Sequence, residues 1–338
     1  RDNIMLVVCG SATSWILSNL SRNRGGLYGR LTCEIKLTPF TLKECEDYFK
    51  NENIEMSRYD IVQSYMVFGG IPYYLSYFKK GMSFEGNADN ILFGKNPRLK
   101  DEFNRLFNAI FSNPEDCKKI IRLLAKKHVG FTREEIAKET GLPFGGGLTD
   151  TLNALVESDF IQRYRPYNVS GKVSFYKLID NFSLFWLKYV EPNTEDINFM
   201  TDNMTSNIMR VWRGVAFEEV CWQHIGQIKR ALGISGVSSS ISAWSVKGND
   251  NKEGVQIDLL IIRNDNVVNL CEMKFAGDIY SIDKEEDAKI RNRIQTLINT
   301  LSPKQSVHLT MITTYGVSHT MYGGRVQQQV ILDDLFQS

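Results

Sequence analysis

The sequence predicts a mixed α/β chain of several domains, and three observations carry that prediction. A continuous apolar run, Ile4-Met5-Leu6-Val7-Val8-Cys9, stands near the start and ends in Gly10-Ser11. A helix-rich middle ends in three short helices and a hairpin between residues 114 and 178. Further on, the apolar strands Ile257 to Ile262 and Val267 to Phe275 flank the turn cluster Arg263-Asn264-Asp265-Asn266. With 338 residues the chain has room for two or three domains. Its 43% hydrophobic and 23% charged content is that of an ordinary globular protein. The net charge of +1 gives no global signature of nucleic-acid binding, so any DNA contact has to come from local patches. There is no Cys-x-x-Cys pair, which argues against a zinc ribbon or a dithiol redox site. No apolar run reaches bilayer length and no signal peptide is visible. The reading is a cytoplasmic protein with reduced cysteines and no membrane partner.

The first element reads as a buried, parallel-type strand. Such a strand needs neighbours on both sides, and nothing before it supplies one. The expectation is therefore an N-terminal segment upstream, lost from this sequence. The strand Thr32 to Phe40 follows the polar segment Leu27-Tyr28-Gly29-Arg30. Ser11 and Arg30 are expected to lie close together at one edge of a small parallel sheet.

Thr41 with Glu44 three residues on has the pattern of a capping box opening a helix. Helices continue to about Phe111, and Tyr65, Phe68, Tyr73, Tyr74, Tyr77 and Phe78 crowd there. Core packing explains those rings better than base stacking. Residues 116–127, 132–141 and 147–157 read as three helices, and Phe160 to Pro166 pairs with Val173 to Leu178 around Asn168 to Lys172. That order is a winged helix, whose second and third helices form a helix-turn-helix. On a DNA-binding reading Arg163, Arg165 and Lys172 meet phosphates. The third helix, however, carries Asp150 and Glu157 and no Lys or Arg, so a structural or protein-contact role stands beside it. Asp180 to Val190 reads as a buried closing helix, broken by Glu191-Pro192, and a polar stretch to Asn207 reads as a linker. His128 and His224 read as packing or capping residues.

The C-terminal hairpin carries the chemistry. If its loop is Asn264 to Asn266, Ile262 lies opposite Val268, Leu260 opposite Leu270, and Asp258 opposite Glu272. Side chains alternate with a period of two, so Asp258, Glu272 and Lys274 share one face. Opposed carboxylates repel, and a divalent cation would explain their placement. A solvated Glu-x-Lys face is the plain alternative. Upstream, the helical stretch Val215 to Trp222 offers Glu218 as a third carboxylate. In the later helix 287–298, Lys289, Arg293 and Gln295 either face phosphate or form a solvated face.

A helix with Glu218, a strand with Asp258 and a strand with Glu272-Met273-Lys274 together resemble the PD-(D/E)xK nuclease superfamily. The resemblance implies that Glu218, Asp258 and Glu272 bind Mg²⁺ or Mn²⁺ and that Lys274 orients or activates the attacking water. Ile257 stands where that motif often has Pro. Val7 to Ser14, Gly29-Arg30 and the segment Gly69-Gly70-Ile71-Pro72-Tyr73-Tyr74-Leu75 resemble P-loop ATPases of the archaeal AAA+/STAND type. That resemblance implies a sensor role for Ser11, a phosphate-proximal role for Arg30 and a helical lid at Gly69 to Leu75. No Gly-x-x-x-x-Gly-Lys-[Ser/Thr] occurs, and a Walker B acidic strand end is also absent, so ATP is expected only in the intact protein. The implied layout is an ATPase core remnant (1–40), a helical lid (41–112), a winged helix (113–190), a linker (191–212) and a restriction-endonuclease-like α/β domain (213–338). Implied partners are DNA, the protein's own upstream ATPase segment and a second copy of the chain. The alternative is a non-catalytic DNA- or protein-binding module of a signalling or scaffold ATPase.

Overall fold

The computed structural model describes residues 7, 10, 32–33, 35–167, 173–193, 195–246 and 254–337. Ser11, Arg30 and Lys172 lie outside the described residues, as does most of the first apolar run. The strand expected over Thr32 to Phe40 does not form among the described residues there. Ile35 and Leu37 are 78% and 89% exposed. A parallel strand without a hydrogen-bonded neighbour leaves its backbone groups unpaired and has nothing to hold it extended in a core.

Five helices follow: α1 (Leu42–Asn51), α2 (Arg58–Phe68), α3 (Pro72–Leu75), α4 (Phe84–Leu92) and α5 (Glu102–Ile110). Thr41 and Glu44 close a capping box on α1, with the Thr41 N–H donating to Glu44 Oε2 at 2.7 Å. The glycine pair before α3 has a steric cause. Gly69 has φ +63°, which L side chains rarely adopt. At Gly70 a Cβ would stand 1.9 Å from the Phe40 carbonyl oxygen, because the Phe40 N–H donates to the Gly70 carbonyl at 2.7 Å. Pro72 then starts α3 at a position where its missing N–H costs nothing.

The next unit comprises α6 (Pro114–Leu124), β1 (Phe131–Thr132), α7 (Arg133–Thr140), α8 (Gly146–Glu157), β2 (Ile161–Tyr164) and β3 (Phe175–Leu178). Its three strands form an antiparallel sheet in the order β1-β3-β2, with Ile161 opposite Leu178 and Tyr164 opposite Phe175. The buried helix α9 (Asn181–Phe185) widens into a π turn over Trp186–Val190. The stretch that follows is docked rather than free. Met200 is buried, and both oxygens of Asp89 accept hydrogen bonds from the start of α10 (Phe199–Asn203).

The last unit contains α11 (Asn207–Gln223), α12 (Ile225–Ala231) and the strands β4 (Ser239–Val246), β5 (Val255–Arg263) and β6 (Val267–Lys274). Helix α13 (Lys284–Ile298) and strands β7 (Ser306–Thr313) and β8 (Gln328–Ile331) complete it. The sheet runs β4-β5-β6-β7-β8, antiparallel through β6 and parallel beyond. Leu259, Ile261, Cys271 and Met273 join Phe217 and Val220 of α11 in one core, whereas Leu260, Leu270 and Met311 join Ile290 and Leu297 of α13 in another. The first of these cores also takes in the helices from Leu42 onward and ends at Phe336. Among the described residues no helix is long and apolar enough to cross a membrane.

Candidate functional site at the bulged strand

The hairpin register follows the turn, with Ile262 opposite Val268 and Leu260 opposite Leu270. The ladder stops at Leu259 opposite Cys271, so Asp258 and Glu272 do not pair. The cause lies on the other side of β5. Leu260 pairs with Ser242 and Ile257 with Trp244, leaving Asp258 and Leu259 together opposite Ala243. One extra residue on β5 is a β-bulge, and a bulge re-aims the side chains beyond it. Ile257 accordingly joins the core of Leu260 rather than that of Leu259. Asp258 lines a small cavity with Glu218, Glu219 and Trp222 of α11. The expectation of a single face shared by Asp258, Glu272 and Lys274 is corrected by this bulge.

Glu272 and Lys274 look toward α13. Lys274 Nζ is 2.9 Å from Glu272 Oε1 and 2.9 Å from Glu286 Oε1. Arg293 Nη1 donates to Glu272 Oε2 at 3.0 Å. Both Glu272 oxygens are thus held by cations. Burial pulls the Lys274 ammonium down, but Glu272 and Glu286 outweigh it and raise the pKa above the usual lysine range. Lys289 pairs with Glu285 on the exposed surface, and Gln295 donates to Asn299, so of the three polar residues expected on this helix only Arg293 reaches the site.

The Asp258 side of the site is covered by the preceding unit. Its cavity holds about 10 Å³ and is lined also by His128, Val129, Tyr164, Lys177 and Ala243. Lys177 on β3 reaches across to Glu219 at 2.8 Å and lies 4.2 Å from the centroid of the Trp222 ring. The Trp222 indole N–H donates to the Asp258 carbonyl at 2.9 Å. Ala243, opposite the bulge, offers its carbonyl to the Tyr167 N–H, and the Ser242 hydroxyl donates to the Arg165 carbonyl. Burial, then Asp258, Glu219 and Glu272, push the Glu218 carboxyl up to about 8. Burial also raises Glu219 despite Lys177, and its Oε2 has no hydrogen-bond partner among the described residues. Burial lowers His128 below the usual histidine range.

Sequence reasoning did not place Lys177, Glu219 or Trp222 at the site, and it read His128 as a packing or capping residue. Glu219 and Trp222 flank the motif on α11, but no local pattern shows which unit supplies the countercharge. Arg163 and Arg165 are exposed on the β2 segment. His224 is a cap: its Nε2 accepts the Leu42 N–H at 3.0 Å and its Nδ1 donates to the Val220 carbonyl at 2.8 Å.

The carboxylates are hard oxygen donors of the kind Mg²⁺ and Mn²⁺ take. Their placement is another matter. Among the described residues no group of three His, Cys, Asp or Glu side chains is close enough together to hold a metal ion. The bulge and the Glu272 ion pairs account for that. In this arrangement the residues do not fit a bound ion.

No protein-family model matches the chain. An uncharacterized protein of Methanocaldococcus jannaschii, MJECL04, is 27% identical over 266 residues, which cover 77% of this chain and 57% of that protein. The chain thus spans little more than half the length of that relative. Restriction endonuclease FokI overlaps 68% of this chain and 45% of its own at 9% identity, with a TM-score of 0.24, a likeness too slight to carry an argument.

Proposed function

We propose that residues 213–338 are a nuclease-like domain of the PD-(D/E)xK type acting on DNA phosphodiesters, with Glu218, Asp258, Glu272 and Lys274 as its site. The observation that supports the reading is geometric: Glu218 of the helix and Asp258 of its strand line one small cavity, beside the Glu272–Lys274 pair on the next strand. Lys274 beside Glu272 is a donor for a phosphate oxygen or an attacking water. Glu218, Asp258 and Glu272 would hold Mg²⁺ or Mn²⁺ only if the strand at Asp258 shifted and Glu272 left Lys274 and Arg293, and the ion would then supply charge stabilisation at phosphorus. The proposal extends to a winged helix over residues 114–178, contacting DNA phosphate through Arg163, Arg165 and Lys172. It also makes the chain the C-terminal portion of an AAA+/STAND-type ATPase, on the sequence of Ser11, Arg30 and the Gly69 to Leu75 turn. ATP then belongs to the intact protein, and self-assembly and a cytoplasmic setting are part of the same proposal.

A second reading is favoured by the saturated Glu272 and the closed cavity: a nuclease-like fold that binds DNA or protein without cleaving. Plasmid cleavage in Mg²⁺ or Mn²⁺ separates the two, with Asp258→Ala and Lys274→Ala run alongside. The first reading expects cleavage that both variants abolish, with calorimetric metal binding lost only in Asp258→Ala. Absence of both cleavage and metal binding in the unaltered protein leaves the second reading.

A further inference from the structure

A second surface, apart from the sheet site, carries its own chemistry. Tyr73, Tyr77, Lys95, Arg98, Lys100 and Arg105 line an open groove of about 690 Å³, together with Asp101 and the loop from Gly94 to Pro97. That size is ordinary for a ligand site. Its four cations have no ion-pair partner among the described residues, whereas Arg58, Arg122, Lys177 and Arg293 elsewhere are each paired with a carboxylate. Four positive charges against Asp101 give the groove a net excess in a chain that is almost neutral overall. Tyr73 is 51% exposed, although the adjoining Tyr74 is core. The Tyr77 hydroxyl donates to that of Tyr73 at 2.7 Å and fixes the ring.

Lys95, Arg98 and Lys100 sit on a held loop, and Arg105 on the helix α5 that follows it. Leu99 is fully buried, and its N–H donates to the Ile91 carbonyl. The Lys100 carbonyl accepts the Trp186 indole N–H at 2.7 Å. The Gly94 N–H donates to the Asp89 carbonyl at 2.7 Å. A backbone fixed in advance lowers the ordering cost of binding. We infer that this groove binds single-stranded nucleic acid, with Lys95, Arg98, Lys100 and Arg105 on successive phosphates and a base stacked on Tyr73. A positively charged groove with an exposed aromatic face is the usual means of holding an unpaired strand. A duplex keeps its bases stacked on one another, and Tyr73 then has nothing to stack on. The inference does not depend on the nuclease-like reading.

The test uses the whole chain in EDTA, which removes any contribution from a metal site. Fluorescence anisotropy with a labelled oligothymidylate of about ten nucleotides reads binding across a salt series. Arg98→Ala/Arg105→Ala should weaken binding tenfold or more and flatten the slope of log K against log salt by about 1.4. Tyr73→Ala should lower affinity about fivefold while Tyr73→Phe retains it. The remote charge change Lys304→Ala should leave binding as it is. Thermal melts check that these surface variants stay folded. Equal loss for a duplex of the same sequence, or for polyglutamate or anionic vesicles, would make the groove a general anion site and overturn the assignment. So would charge variants that bind the oligonucleotide as the unaltered protein does.

Discussion

Lys177 and Glu219 form an ion pair at 2.8 Å in which both side chains are almost wholly buried. Lys177 comes from the three-stranded sheet and Glu219 from the helix of the candidate site, so a charge of one unit neutralises a charge of the next. Removing one partner leaves the other buried and unpaired. Lys177→Met should therefore cost about 3–5 kcal/mol in denaturant unfolding, and Lys177→Met/Glu219→Leu should recover most of it. A single variant as stable as the parent would show that the pair is solvated in solution.

Arg293 restrains Glu272. On the nuclease-like reading, Arg293→Ala frees one carboxylate oxygen and raises Mn²⁺ affinity in calorimetry. The same heat trace in parent and variant would count against Glu272 as a ligand.

His224 gives a pH signature. Burial holds its folded pKa down at about 4, against the usual 6.5. The unfolded chain therefore takes up the proton first, and stability falls as pH drops from about 6.5 toward 4. The shift corresponds to at most about 3 kcal/mol. His224→Gln, which can still accept the Leu42 N–H, should flatten that slope in melts run from pH 7 to 4.

Gly70→Ala should destabilise by about 1–3 kcal/mol or more, because the new Cβ has backbone rather than a flexible side chain against it. Gly81→Ala, where φ is +73° but nothing stands within 4 Å of the Cβ, carries the conformational cost alone and so contrasts with the steric cost at Gly70.

The hairpin was legible because its information is local. Turn residues and an apolar alternation fix Leu260 opposite Leu270 without help from the rest of the chain. Asp258 was misplaced because a bulge depends on what the neighbouring strand does, and Ala243 is bound in turn to Tyr167 of another unit. The helix capped by Thr41 and Glu44 was readable for the same local reason. Tyr73 was read as core from the crowding of rings around it, and only its neighbours in space leave it exposed. Arg293 was one of three polar residues on its helix, and helical spacing alone does not say which meets Glu272.

The hydrophobic cluster that starts at Leu42 and ends at Phe336 draws side chains from the first helices, the small sheet and the large one. Layers that share one interior cannot unfold separately. Calorimetry of the whole chain should therefore give a single endotherm whose van't Hoff and calorimetric enthalpies agree. A cut in the exposed loop before α8 should lower that one transition rather than split it, so the parts of this molecule melt together or not at all.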